Sequence, residues 1–484
     1  MISLSCHVLC LEMLIYRNRQ ILSRSIIRGS VRYLETTSSI VTELKSRIQV
    51  LAKEKTTLLK DLKAKDMASA PVGTLSADMV MGGMRGIKAM VTDTSDLDAH
   101  EGIRYRGISL KQVNEQLPKA RGGTCGLPEG SLWLLLTGEI PTDDQVKQLN
   151  KELHRRAYLP ATVTHTLDKL PHTMHPMTQL GIGLLALQPE SRFAEAYRDG
   201  KMKKAEYWEY ALEDSLSLIA QIPLVAARIY RNTYYGGKHL ASRPDLDWAG
   251  NYAHMLGVSD DEKFKEVTRL YLMLHADHEG GNVSAHATHL VGSALSDPYY
   301  SWTAGVCGLA GPLHGLANQE CLRWLEKTAA DLKGQEPTVE LITEYAKKTL
   351  AEGHVIPGFG HAVLRNTDPR YMLEREFALE HMKQDPLVKL VDVCYQAIPK
   401  VLEATGKVKN PYPNVDAHSG VCMKHYGLHQ SDYYTVVFAV SRTLGVCSQL
   451  VWSRVLGMPI ERPKSVTLDW LHAAAKKAAT ANGK

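Results

Sequence analysis

Apolar residues recur along this chain mostly at three- and four-residue intervals, the period of helices with one buried face. Val41, Leu44, Ile48, Leu51, Leu58 and Leu62 keep that spacing, broken once by Lys55. Three short heptads are compatible with a coiled coil. They are read here as an amphipathic helix lying on the body, over residues 35–66. A Thr142/Gln145 capping box leads into Val146, Leu149 and Leu153, predicting a helix from Thr142 to Leu153. In "GLAGPLHGLANQECLRWL", Leu313, Leu316, Ala317, Cys321, Trp324 and Leu325 fall on one helical face, and Pro312 suits a first helical position. From Tyr433 to Leu456 the pattern is apolar on nearly every side, predicting a buried helix. Two-residue alternation is scarce and no βαβ rhythm appears, so the chain reads as mostly helical.

Composition changes this picture little. The chain has 484 residues, 44% of them apolar, enough for a large core. Its formal charge of +5 is concentrated in residues 1–34, which hold five arginines, no lysine and one acid, Glu12. The rest is close to neutral, which argues against nucleic acid as a partner. An arginine-rich, serine-containing, acid-poor leader has the composition of a mitochondrial transit peptide. "MISLSCHVLCLEMLIY" is apolar enough to suggest a secretory signal, but its charges follow the apolar run and Glu12 interrupts it; Met13 would make a cleaner start. Eight cysteines form no C-x-x-C pair and no regular framework, as in a reducing compartment. No stretch reaches eighteen uninterrupted apolar residues, so no membrane partner is expected.

Candidate chemistry lies in five stretches. His314 is expected in the first turn of a helix that starts in a glycine-rich bend. The partial positive charge of a helix N-terminus disfavours a second one, so this imidazole should stay neutral and able to polarise a carbonyl. A core histidine satisfied by a neighbouring carbonyl is the structural alternative. "LHADHEGGNVSAHATHL" gathers His275, His278, His286 and His289 with Asp277 and Glu279. Metal binding is one reading; histidines that orient a polar ligand or cap helices are the other, because "EGGN" breaks any single helix between the pairs. "GHVIPGFGHAVLRNTDPRY" sets His361, Arg365 and Arg370 after a tight glycine loop that lacks the third glycine of a dinucleotide fingerprint. "GKVKNPYPNVDAHSG" places Asp416 behind a stiff proline loop, as a general base or a helix cap, with Lys407 and Lys409 on the approach. Arg442 sits inside the apolar 433–456 helix and must find an anion there, either an internal carboxylate or a bound one. Together these groups suit carbon–carbon bond chemistry on a small polyanion with a phosphate-bearing cosubstrate.

"HADHEGGNVSAHATHLVGSALSDPY", "GLAGPLHGLANQE", "PGFGHAVLRNTDPRY", "NPYPNVDAHSG" and "SRTLGV…ERPKS" resemble the citrate synthase family in its eukaryotic mitochondrial branch, from about residue 68 to 470. The resemblance implies an all-α, two-lobed, multi-helical fold with very little β. The implied layout is a transit peptide over 1–34, a large domain over 67–315 and 422–470, a small domain over 316–421, and a loose tail over 471–484. It implies a homodimer in the mitochondrial matrix with no permanently bound cofactor and no metal. The activity implied is condensation of acetyl-CoA with oxaloacetate, then hydrolysis to citrate and coenzyme A, the first step of the tricarboxylic acid cycle. Asp416 matches the base that takes the methyl proton, His314 the donor to the thioester oxygen, and His361 the group that polarises the ketone. His278, Arg370 and Arg442 match carboxylate holders, and Arg462 an arginine lent by the other subunit. Arg85, Arg365, Lys407 and Lys409 match coenzyme A phosphate contacts; Lys204 stands where relatives carry arginine. The rival readings are 2-methylcitrate synthase using propionyl-CoA, a metal-dependent helical hydrolase built on His275 and His278, and an inactive scaffold.

Overall fold

A computed structural model describes residues 38–361 and 363–482. The leader over 1–34 lies outside the described residues. The expected mostly helical architecture is found, and among the described residues strands are confined to one small antiparallel sheet, Ser95–Asp98, Gly102–Tyr105 and Ile108–Ser109.

The first long helix, Ser39–Leu62, buries Ile40, Val41, Leu44 and Ile48 against helices Pro128–Thr137 and Asp143–Arg156. Each such side chain contributes about 1.5–3 kcal/mol. Leu58 and Leu62 are exposed, so the apolar stripe serves the body through only half of its length. The Thr142/Gln145 capping box forms as read, and Val146, Leu149 and Leu153 are buried.

Two long helices form the centre. Tyr207–Tyr235 packs along Tyr434–Val455, and both are buried over most of their length. The second is long and apolar enough to cross a membrane by composition, yet the protein itself covers it. Helices Ala317–Asp331, Val339–Ala351, Pro369–His381, Pro386–Ala404 and Asp416–His425 pack mainly on one another. They meet the central helices through Glu262–Leu274 and the start of Tyr434–Val455.

The small sheet sits between these groups. Tyr105 Oη donates to the carbonyls of Met273 and Leu274 (3.0 and 3.2 Å) and accepts the Asp277 N–H (3.1 Å), pinning the loop after Glu262–Leu274. On the other side, the Arg365 N–H donates to the Ala99 carbonyl (2.7 Å), and Gly102 (φ +84°) lets Pro369 press on the hairpin. Residues 471–482, read as part of a loose tail, belong to a helix, Leu468–Asn482, with Leu468 and Trp470 exposed.

Candidate active site

The loop from His275 to Glu279 is fixed before it offers anything to a ligand. His275 closes the Glu262–Leu274 helix, with its ring stacked on Tyr271 (4.0 Å between centroids) and Nδ1 at 2.9 Å from the Tyr271 carbonyl. Burial draws its pKa down to about 3, so it stays neutral. His278 is 9% exposed, and its buried Nε2 has no hydrogen-bond partner among the described residues. Burial, then Arg370 and Arg442, hold that ring far below the usual histidine range. A buried polar atom without a partner carries a desolvation cost that a ligand oxygen can relieve.

Arg442 is 1% exposed. Its Nε donates to the His275 carbonyl (3.0 Å) and its guanidinium lies 4.8 Å from the Phe438 ring centre. Among the described residues no carboxylate reaches ion-pair distance of Arg442. Burial lowers its pKa to about 10, with Asp277 the main opposing charge, so it remains a cation at neutral pH. Arg370 is also buried but paired: Nε and Nη2 bind Asp368 at 3.0 and 2.7 Å, leaving Nη1 free of that pair.

His314 departs from the sequence reading. It lies in a turn after helix Pro298–Leu309, and the next helix begins at Ala317. Pro312 is therefore not a first helical residue, and Leu313, expected on the buried face, is 100% exposed. Gly315 closes the turn by donating to Leu309 carbonyl (3.1 Å), where an added Cβ would meet that oxygen at 2.5 Å. The ring instead meets the N-terminus of a different helix, Val283–Ser293. Its Nε2 accepts the Ser284 N–H (3.4 Å) and lies 2.9 Å from Ser284 Oγ. Nε2 is the acceptor, so Nδ1 carries the proton and is the donor available to a ligand. Burial first, and Arg442 second, lower its pKa to about 4. The neutral state is as expected, with a different principal cause.

His361 and Asp416 are brought together by paired loops. Gly360 N–H donates to Tyr412 carbonyl and Asn414 N–H to Gly358 carbonyl, both at 2.9 Å. Gly358 and Gly360 have φ of +79° and +93°, a conformation that side chains with a Cβ disfavour. His361 Nδ1 accepts the N–H groups of Val363 and Leu364 at 3.0 Å each, so its proton sits on Nε2. Its ring centre is 6.0 Å from that of His278. Burial, then Arg370, lower its pKa. Asp416 is the first residue of helix Asp416–His425; its side chain caps nothing and makes no hydrogen bond or ion pair with described residues. Burial pushes its carboxyl up to about 6, partly opposed by Arg370. His418, its neighbour in sequence, turns away to Cys422 Sγ (3.3 Å) and Tyr371.

These groups act on one another through charge and through bonded neighbours. Arg442 acts electrostatically on His314 and Arg370 on Asp416, and each arginine depresses the His278 pKa. Thr435 in the Arg442 helix donates to the Gly315 carbonyl (3.1 Å), and Asn318, just after His314, donates to Ser419, just after Asp416. His314, His361 and Asp416 keep accessible edges, whereas His278, Arg370 and Arg442 are sunk.

Of the remaining predicted residues only Arg365 bears on this cluster, through its charge on His361. Arg85, Lys204, Lys407, Lys409 and Arg462 are exposed and their side chains pair with no described residue. Lys204 lines a cavity of about 660 Å³ with Lys53, Trp208 and Arg454, beside the first helix. Arg365 is half-buried, with Nη1 on the carbonyls of Val363 and Leu364. The histidine pairs do not converge as a metal site would require. His289 meets Gln449 (2.7 Å), His286 lies 3.5 Å from Glu461, and no metal-sized group of His, Cys, Asp and Glu occurs among the described residues. The sequence reading missed Ser284, Asp368 and Phe438. Phe438 alone carried a signal, four residues before Arg442 on the same helical face.

The family model "Citrate synthase, C-terminal domain" matches residues 83–464. Over 458 residues the chain is 53% identical to citrate synthase 4, mitochondrial, of Arabidopsis thaliana, covering 95% of this chain and 96% of that one. The solved citrate synthase of Pyrobaculum aerophilum has a TM-score of 0.69 and 27% identity, covering 83% of this chain and 94% of that one. The ternary complex of carboxymethyl coenzyme A and oxaloacetate with the citrate synthase of Thermoplasma acidophilum has a TM-score of 0.67 and 19% identity, covering 80% and 95%, and speaks to fold alone. On the match of the family model and this identity over nearly the whole length, the chain belongs to the citrate synthase family and is an acyltransferase.

Proposed function

We propose that this chain joins the methyl carbon of acetyl-CoA to the ketone carbon of oxaloacetate and hydrolyses the citryl thioester, giving citrate and coenzyme A. The chain works in the mitochondrion, in keeping with its arginine-rich leader and the name of its Arabidopsis thaliana relative. One observation carries the substrate assignment. Arg442 is a buried cation without a carboxylate partner among the described residues, and its charge, with that of Arg370, bears on His278, whose buried Nε2 is likewise unpartnered there.

Each step then follows from local chemistry. A thioester methyl is a weak acid, so its proton leaves only if the charge forming on the oxygen is stabilised at the same time. Asp416, ionised above about pH 6 and unencumbered by hydrogen bonds, takes the proton. Nδ1–H of neutral His314 donates to the developing oxyanion. Nε2–H of His361 donates to the oxaloacetate ketone, making its carbon the acceptor for the new bond. His278, Arg370 and Arg442 hold the oxaloacetate carboxylates, and water then cleaves the thioester.

Arg462 of a second copy completes the carboxylate set. The exposed Leu185, Val283, Leu290 and Tyr300 lie on adjacent packed helices and supply an apolar face for that copy. Arg85, Lys204, Arg365, Lys407 and Lys409 bind coenzyme A phosphates, with Lys204 offering a point charge where arginine grips with two donors. The helices over 316–421 move as a small lobe against 67–315 and 422–470, closing the half-exposed edges of His314, His361 and Asp416. The site takes acetyl- in preference to propionyl-CoA. One methylene is worth about 1–3 kcal/mol, so kcat/KM for the two thioesters should differ about tenfold or more. A preference for propionyl-CoA would replace this reading with the 2-methylcitrate one.

A further inference from the structure

One buried carboxylate next to the substrate arginines takes no part in the steps above. Asp277 is fully buried, and it is the largest favourable charge felt by Arg442. An acid so placed ordinarily closes a salt bridge onto its arginine. Here it does not, because neutral donors occupy its oxygens. Thr94 Oγ1 and Ser95 Oγ lie 2.7 and 2.8 Å from Oδ2, and Gln449 Nε2 lies 2.6 Å from Oδ1.

The donor directions are fixed. Ser95 Oγ already accepts the Glu279 N–H (2.8 Å), so its own hydrogen points to Asp277. Gln449 Nε2 also donates to the Glu279 carbonyl (3.1 Å), which orients the amide and leaves its oxygen 2.7 Å from His289 Nε2. The helix carrying Arg442 is shaped for this approach. Phe438, Arg442, Gly445 and Gln449 recur at helical spacing along one face. A Cβ at Gly445 would meet the Ala276 carbonyl at 2.3 Å and Asp277 Oδ1 at 2.5 Å.

The geometry points to Asp277 as a positioning residue, a counter-charge that the Thr94, Ser95 and Gln449 donors restrain so that Arg442 stays free to bind the oxaloacetate carboxylate. The arrangement balances charge without spending the N–H groups of Arg442. Its Nη donors remain for the substrate, while Asp277 offsets part of the cost of burying the guanidinium. The inference rests on the assignment of Arg442 as a substrate carboxylate holder.

Steady-state kinetics of the full-length enzyme tests it. Thr94→Val with Ser95→Ala frees Oδ2, which then turns to Arg442 and competes with substrate. KM for oxaloacetate should rise about tenfold, the scale of one charge-assisted hydrogen bond, while kcat and KM for acetyl-CoA stay within twofold. Adding Asp277→Asn to that pair removes the competitor and should bring KM back to within threefold of the parent. If the paired variant does not fold, Thr94→Val alone, which keeps the side-chain shape, should give about a threefold rise that Asp277→Asn reverses. An unchanged KM, or a rise that Asp277→Asn does not reverse, overturns the inference. Arg442→Gln, assayed in parallel, separates the two claims. If it leaves KM for oxaloacetate unchanged, the assignment of Arg442 is wrong; if it raises KM while the donor variants do nothing, only the restraint on Asp277 is wrong.

Discussion

His278, Arg370 and Arg442 are sunk in the protein and held by Asp368, by the His275 carbonyl and by the pinned 275–279 loop. Arg85, Lys204, Lys407 and Lys409 lie exposed, their side chains unpaired among the described residues. The two sets are proposed to bind the two substrates of one reaction, and their physics differs accordingly. A small dianion needs few contacts but strong ones, so its partners are desolvated and prearranged within one chain. A long phosphate-bearing cosubstrate is met by flexible, solvated cations whose individual contributions are small. His314, His361 and Asp416 belong to neither set: they are half-buried and are proposed to act where the two substrates meet. Substitutions should therefore sort sharply by region.

The largest effect belongs to the boundary. Asp416→Asn should lower kcat about 10²–10⁴-fold, the usual worth of a positioned base, with the fold intact by circular dichroism. Next comes His314→Gln, which removes the Nδ1 donor as it is now oriented by Ser284. A loss of about 10²–10³ in kcat is expected, with little change in KM for oxaloacetate. A fall in KM affinity as large as the fall in kcat would place His314 in the cradle instead.

The pH dependence is the third test. Asp416 must be ionised, so kcat/KM should fall as pH drops through about 6, while His314 stays neutral down to about 4. Stability should move the opposite way. The folded protein keeps the Asp416 proton up to about pH 6 and the unfolded chain releases it near 3.8. The folded state thus binds more protons across that window, and this group's contribution falls as pH rises through it. At pH 7 the penalty is complete, so Asp416→Asn should raise Tm there and have no such effect near pH 3. A Tm unchanged at pH 7 would contradict the shifted carboxyl.

Effects at the exposed rim should be the smallest. Lys407→Ala with Lys409→Ala is expected to raise KM for acetyl-CoA about two- to fivefold, with the difference shrinking in 0.5 M salt as screening takes over. A large, salt-independent loss would move these lysines into the buried class.

Much of this was legible in the sequence because the signals are local. A glycine bend before an apolar stripe marked His314, a proline loop marked Asp416, and a charge inside an apolar helix marked Arg442. The reasons behind those positions were less legible. His314 meets its helix N-terminus through Ser284, thirty positions upstream, rather than through the helix that follows it. Thr94 and Ser95 reach Asp277 across 183 and 182 positions, and periodicity says nothing about such pairs. Leu313 fitted a helical face in spacing but lies in a tight turn, where the chain reverses before that face begins.

Calorimetric binding of oxaloacetate to Arg442→Gln and Asp416→Asn, without acetyl-CoA, bears most directly on the division between a sunk cradle and a half-open reaction face. The account predicts that Asp416→Asn binds within threefold of the parent, while Arg442→Gln loses at least about thirtyfold, some 2 kcal/mol. Parent-like binding by Arg442→Gln, or loss of binding in Asp416→Asn, would contradict it.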